Sequence, residues 1–222
     1  MELPPLTKDH YPYPDYTKSH CLDSVGLFVF GKEHSFTTSR LSSELFSHDQ
    51  WNATPTAVPH ESQYFPNNFC SAQLNTTHII LMGGDNADAR NSTWLLDTTN
   101  YSWTRGSDML DSRKKHGCVT TSNNEVLILG GESDANSVNI YNPSADAWRQ
   151  EESLPGEINH VDSLVLLLWQ NSPTLLEHMS EERIWIRSVS GQWTSLEITL
   201  GAIFDGSQDL AITVPANLYE CS

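Results

Sequence analysis

The chain of 222 residues predicts an all-β protein made of repeated four-stranded units, and three observations carry that reading. Two apolar runs end in paired glycines: Ile79-Ile80-Leu81-Met82 runs into Gly83-Gly84, and Val126-Leu127-Ile128-Leu129 into Gly130-Gly131. Four tryptophans, Trp51, Trp103, Trp148 and Trp193, stand 52, 45 and 45 residues apart. The middle two follow their glycine pairs at a similar distance, Trp103 19 residues after Gly84 and Trp148 17 after Gly131. A period of about 40–50 residues with short strands is the mark of a propeller or a similar array. Seven Trp, seven Tyr and seven Phe suit strands, where aromatic side chains pack well on a pleated surface.

The third repeat is the clearest. His116-Gly117-Cys118-Val119-Thr120-Thr121 reads as a first strand, ended by the turn Ser122-Asn123-Asn124. Glu125 to Leu129 is a second strand, apolar throughout as an interior strand buried on both faces should be. Gly130-Gly131 ends it, because paired glycines accept positive φ and leave room where backbones crowd. Ser137 to Tyr141 alternates as a third strand, Asn142-Pro143-Ser144-Ala145-Asp146 is a turn cluster, and a fourth strand carries Trp148 towards Leu154-Pro155. In the second repeat Cys70 falls in the first strand, Asn75-Thr76-Thr77 in the turn, His78 to Met82 in the second strand and Trp94-Leu95-Leu96-Asp97 in the third. The turn Thr98-Thr99-Asn100 then leads to Trp103. The first repeat runs Phe28-Val29-Phe30 into Gly31-Lys32, then Leu45-Phe46 and Trp51. In the fourth, Trp169-Gln170 stands where the glycine pair should be, and Ile186-Arg187 precedes Trp193.

This arrangement resembles the kelch repeat, in which an apolar strand ends in a double glycine and an aromatic such as Tyr141 precedes a tryptophan by about seven residues. The resemblance covers roughly residues 18 to 214. Lys32, Trp169-Gln170, Leu96 and Ile186 depart from the pattern. It implies a kelch-type β-propeller with one blade per motif: four tryptophan-bearing blades and a possible partial fifth closed by the termini. The expected organisation is a Pro/Tyr-rich tail or edge strand over 1–17 and a single domain over 18–222. Its repeats span about 18–58, 64–110, 114–155 and 160–200, with closing strands in 201–222. The structural positions are Gly31, Gly83, Gly84, Gly130, Gly131, Tyr141, Trp51, Trp103, Trp148 and Trp193.

Charge narrows the partners. Against 12 Lys and Arg stand 28 Asp and Glu, a net −16, so a nucleic-acid backbone or an anionic membrane would be repelled. No run reaches the roughly 18 apolar residues that span a bilayer, and Met1 to Asp15 has no apolar core of a signal peptide, which taken alone points to the cytosol. Sequons at Asn52, Asn75, Asn91 and Asn100 point the other way, to an extracellular setting, although fifteen asparagines in a Ser/Thr-rich chain produce some by chance. The four cysteines, Cys21, Cys70, Cys118 and Cys221, are too few for a disulfide scaffold. Cys70 and Cys118 lie 13 and 12 residues before their glycine pairs, in the same strand of adjacent repeats. Blades usually hold such positions further apart than the roughly 4.4–6.8 Å a bridge allows, so small buried thiols are expected there.

No catalytic constellation stands out. The nine histidines form no closely spaced pair, no cysteines have zinc-ligand spacing, and neither a phosphate-binding glycine loop nor a Gly-x-Ser-x-Gly elbow is present. No metal or cofactor is therefore expected. Asp85/Asp88 and Glu132/Asp134 fall in equivalent loops after the glycine pairs, and Arg113-Lys114-Lys115 is the one basic cluster. These seven are the candidates for contact with a partner. Some kelch propellers are enzymes, including copper oxidases and sialic-acid mutarotases, and others are binding platforms. The expectation from sequence is a non-enzymatic interaction module binding a protein through rim loops. The alternative is a small enzyme or carbohydrate-binding propeller working at a central pocket.

Overall fold

The computed structural model describes residues 17–22, 26–32, 41–54, 67–85, 90–156, 164–177 and 183–197. Sixteen strands and no helix occur among them, in four antiparallel sheets whose strands follow chain order. The first sheet holds β1 (Thr17–Leu22), β2 (Gly26–Lys32), β3 (Leu41–Ser47) and β4 (Gln50–Ala53). The second holds β5 (Cys70–Gln73), β6 (His78–Met82), β7 (Thr93–Asp97) and β8 (Ser102–Arg105). The third holds β9 (Gly117–Thr120), β10 (Val126–Leu129), β11 (Val138–Asn142) and β12 (Ala147–Gln150). The fourth holds β13 (Leu164–Trp169), β14 (Ser172–Glu177), β15 (Arg183–Arg187) and β16 (Trp193–Glu197).

The sheets stand in series with their first strands side by side: β1 beside β5, β5 beside β9, and β9 beside β13. No closed ring is formed among the described residues. The expected closing strands in 201–222 and the tail over 1–16 lie outside them.

The interior strands explain how the sheets pack. Side chains alternate between faces along a strand, so a strand that is apolar at every position covers both. Ile79 and Leu81 of β6 pack with Leu22, Phe28 and Phe69 towards the first sheet. Ile80 and Met82 pack with Val126 and Ile128 of β10. Leu127 and Leu129 then face Leu175, Trp185 and Trp193 of the fourth sheet. The core is thus three apolar layers between four sheets, each such side chain worth about 1.5–3 kcal/mol when fully buried.

The glycine pairs sit as expected at the ends of β6 and β10, with φ of 66° and 124° at Gly83 and Gly84 and of 76° and 113° at Gly130 and Gly131. A β-carbon on Gly83 would lie 2.6 Å from the Arg113 carbonyl oxygen and 2.7 Å from the His116 ring. The pair therefore answers both to conformation and to crowding by the chain that enters the next sheet.

The fourth sheet departs from the sequence reading by one strand. Leu164–Trp169 is its first strand, not its second, and Gln170-Asn171, both at positive φ, make the two-residue hairpin turn into β14. An apolar run alone cannot tell a first strand from a second when both are covered by neighbouring sheets. Arg187, not Ile186, pairs with Trp193 and so takes the place that Tyr141 holds opposite Trp148.

The cysteines require a second correction: Cys70 and Cys118 form a disulfide, with Cα atoms 6.0 Å apart. Cys70 pairs with Met82, the last residue before its glycine pair, whereas Cys118 pairs with Ile128, one residue earlier in the repeat. That single-residue offset turns the two side chains to opposite faces of their own sheets, and therefore towards each other across the gap. Equivalent positions would point the same way round the series and could not meet.

Candidate functional site

All connections that follow a glycine pair lie at one end of the sheets, and the hairpin turns lie at the other. In the second sheet the two hairpins are tied together by the Thr98 N–H donating to the Thr77 carbonyl at 2.8 Å. At the glycine end the chain entering the third sheet is hydrogen-bonded to both glycine loops. Gly84 N donates to Arg113 O at 2.9 Å, Lys115 N to Asn68 O at 2.9 Å and Glu132 N to Lys114 O at 3.2 Å. The glycine end is where the acidic and basic candidates gather, because the loops of two successive sheets meet there.

The candidates have distinct surroundings. Asp85 is half-buried and accepts from Asn67 N at 2.8 Å, Asn67 Nδ2 at 3.1 Å and Asn68 Nδ2 at 3.4 Å, which pins the segment leading into β5. Asp134 accepts from Asn136 N at 3.0 Å within its own loop. Asp88 lies outside the described residues. Glu132 binds Lys114 Nζ at 2.7 Å and Lys115 Nζ at 3.2 Å. Those two ammonium groups hold its carboxyl below the ordinary value.

Arg113 differs from the two lysines that follow it: it is 3% exposed. Its guanidinium donates to Gly130 O at 2.6 Å, Ser137 O at 3.2 Å, Ser137 Oγ at 2.6 Å and Asn139 Oδ1 at 2.7 Å. A planar fork with several fixed donors suits such a cluster of neutral acceptors. Burial pulls its pKa down, against the weaker pull of Asp111 and Asp134. The basic run therefore splits, one residue structural and two at the surface.

Nearer the series of first strands, polar contacts cross between sheets beside the disulfide. His20 Nε2 and Ser71 Oγ are 2.9 Å apart, joining β1 to β5, and Thr120 Oγ1 donates to Gln73 O at 2.5 Å, joining β9 to β5. Among the described residues no three His, Cys, Asp or Glu side chains come together as a metal would need.

Towards the outside, the tryptophans close each sheet. Trp148 packs against Tyr141 with ring centres 5.0 Å apart and the planes tilted by 36°, and donates from Nε1 to the Ser107 carbonyl at 2.9 Å. Tyr141 donates to Asp146 Oδ1 at 2.7 Å, and Ser107 N donates to the same oxygen at 2.7 Å. The Ser107 amide and then the Tyr141 hydroxyl hold the Asp146 carboxyl below its usual range. Burial, with Asp146 beside it, pushes the Tyr141 phenol up. Between the third and fourth sheets the corresponding contact is ionic: Arg187 Nη2 reaches Glu151 Oε2 at 2.5 Å, and Glu151 also binds Arg149 Nε at 2.8 Å. These inter-sheet contacts were not visible in the sequence, since their partners sit 36 to 41 residues apart.

Comparison with known proteins places these features in context. No family model matches the chain. Beta-scruin of Limulus polyphemus, a kelch-repeat protein, is 32% identical over 71 residues, which is 30% of this chain and 8% of that one. Among solved structures, a fungal alcohol oxidase of the AA5 family, in complex with copper, superposes with a TM-score of 0.60 at 19% identity. The match covers 88% of this chain and 43% of the oxidase. In these matches the chain thus spans less than half the length of the oxidase and under a tenth of beta-scruin, 43% and 8%. The likeness to the oxidase is one of fold. It corrects two expectations from sequence, a non-catalytic interaction module and a protein that is not an enzyme, because the similar structure is an enzyme. One such fold carries both enzymes and binding proteins, so function rests on particular sites and not on the fold itself.

Proposed function

We propose that the chain is a four-bladed portion of a kelch-type propeller, acting as a small enzyme or carbohydrate-binding protein at a central pocket. The observation that carries this reading is the fold likeness over 88% of the chain to an alcohol oxidase. The partial identity to beta-scruin over 71 residues supports the kelch assignment. The first strands β1, β5, β9 and β13 stand in a row, and a curved row of such strands is what lines the axis of a propeller. In this reading the ligand is held at the glycine end, where Lys114, Lys115 and Glu132 supply charged hydrogen-bonding groups suited to a polyhydroxy or alcohol ligand.

The copper of the oxidase does not fit the described residues. They bring together no set of three His, Cys, Asp or Glu side chains, and Cys70 and Cys118 are spent on each other.

Calorimetric titration of the protein with hexoses and short primary alcohols tests the proposal, together with oxygen uptake in the same mixtures. Binding is expected, weakened about tenfold by Glu132→Gln, the effect of losing one charged hydrogen bond. Neither binding nor turnover with any of these ligands would overturn it.

A further inference from the structure

The sequons and the disulfide together carry an inference about maturation. Three of the four sequon asparagines, Asn52, Asn75 and Asn100, are exposed, while Asn91 is half-buried. Asn52 is the third residue of the outermost strand β4, three residues past the β3–β4 turn. Asn75 and Asn100 occupy the two hairpins that are joined at Thr77 and Thr98. Asn91 sits at the opposite, glycine end, half-buried itself and with both Ser92 and Thr93 of its sequon fully buried, whereas in the Asn52 sequon only Thr54 is buried and the asparagine is exposed.

At Asn75 the side-chain oxygen accepts from Thr77 N at 2.9 Å, Thr77 Oγ1 at 3.1 Å and His78 N at 2.9 Å. The turn is held through that oxygen and not through the amide nitrogen. At Asn100 the oxygen accepts from Ser102 N at 2.8 Å, and Nδ2 donates to Asp97 at 3.1 Å. A singly substituted amide keeps one N–H, so this contact survives modification. A glycan at any of these three positions projects into solvent without displacing a packed group.

The disulfide is an independent observation pointing to the same compartment. Cys70 is buried and joined to Cys118 across two sheets, a bridge that persists where thiols are oxidised and not in a reducing cytosol. We infer that the protein matures in an oxidising secretory compartment and carries N-linked glycans at Asn52, Asn75 and Asn100, and none at Asn91. In each transfer the asparagine amide nitrogen bonds to C1 of a lipid-pyrophosphate-linked oligosaccharide. The C1–oxygen bond to pyrophosphate breaks, and the amide gives up one proton. In bridge formation the two thiols give up two protons and two electrons to a disulfide-bearing oxidant of the same compartment. The glycans at Asn75 and Asn100 lie at the hairpin end, and the one at Asn52 on the outer edge of the first sheet.

Protein isolated from its own cells under non-reducing conditions, with free thiols alkylated, provides the test. Release of N-glycans by amidase in ¹⁸O-water converts each occupied asparagine to a labelled aspartate, read by peptide mass. The expected result is label at Asn52, Asn75 and Asn100, no label at Asn91, and a single linked peptide containing Cys70 and Cys118. Unlabelled asparagine at those three positions, label at Asn91, or alkylated Cys70 and Cys118 would each overturn the inference.

Discussion

Arg113, Lys114 and Lys115 are three consecutive cations with two different fates. In sequence they form one basic cluster. In the structure Arg113 is folded under the loop after β10, while the lysines share Glu132 at the surface. Residue identity hinted at this, since guanidinium suits multiple neutral acceptors, but its acceptors Ser137 and Asn139 are 24 and 26 residues away. The glycines are the opposite case, legible from their position alone. Gly131 at φ 113° has the Lys114 carbonyl oxygen 3.1 Å from where a β-carbon would stand. Gly131→Val is expected to cost about 2–4 kcal/mol, from strain plus crowding, read from the urea midpoint at unchanged m-value. A loss below about 0.5 kcal/mol there and at Gly84→Val would show that neither glycine holds a strained turn.

Each pair of neighbouring sheets needs a contact at its outer edge, and two solutions appear. Between the second and third sheets, Tyr141 closes over Gly106, whose β-carbon would lie 2.7 Å from the phenolic oxygen. Glu151 stands three residues after Trp148, as Gly106 does after Trp103, and Arg187 stands opposite Trp193 as Tyr141 does opposite Trp148. The aromatic-over-glycine contact is thus replaced by an ion pair at the same place in the next interface. Glu151→Gly and Arg187→Tyr should each destabilise the chain by about 1–3 kcal/mol, Glu151→Gly by leaving the Arg187 guanidinium, 10% exposed, without its carboxylate. The double variant should recover about half or more of the summed loss, a coupling that a double-mutant cycle measures. Strict additivity would mean that the two positions do not form one unit. The strands that carry these residues were readable from alternation and turn chemistry. The slip of one strand in the fourth repeat occurred where no glycine pair marks the boundary.

At the scale of the whole molecule, stability depends on three apolar layers and on one covalent bond between sheets. The cysteine pair closes a stretch of 48 residues, and removing such a link typically costs about 2–4 kcal/mol by releasing entropy to the unfolded chain. The Cys70→Ser/Cys118→Ser double variant should therefore unfold at lower urea. The same shift should appear when the unaltered protein is measured with reductant. A variant as stable as the parent would show that the two sulfurs are not joined.

The sequence by itself determined the all-β class, the order of strands and the hairpin turns within the second and third sheets, and the places of the glycine pairs. Those features rest on alternation, turn residues and backbone freedom, which act over a few residues and need no distant partner. Only the tertiary structure decided that Cys70 and Cys118 face one another, that Arg113 is buried beside two half-buried lysines, and that Arg187 answers Glu151. Each depends on which face of a sheet a side chain takes and on which neighbour lies across the gap. With a side-chain period of two, a one-residue offset reverses that outcome. The glycine end collects its charged groups in the same way, from loops tens of residues apart that meet only when the sheets stack.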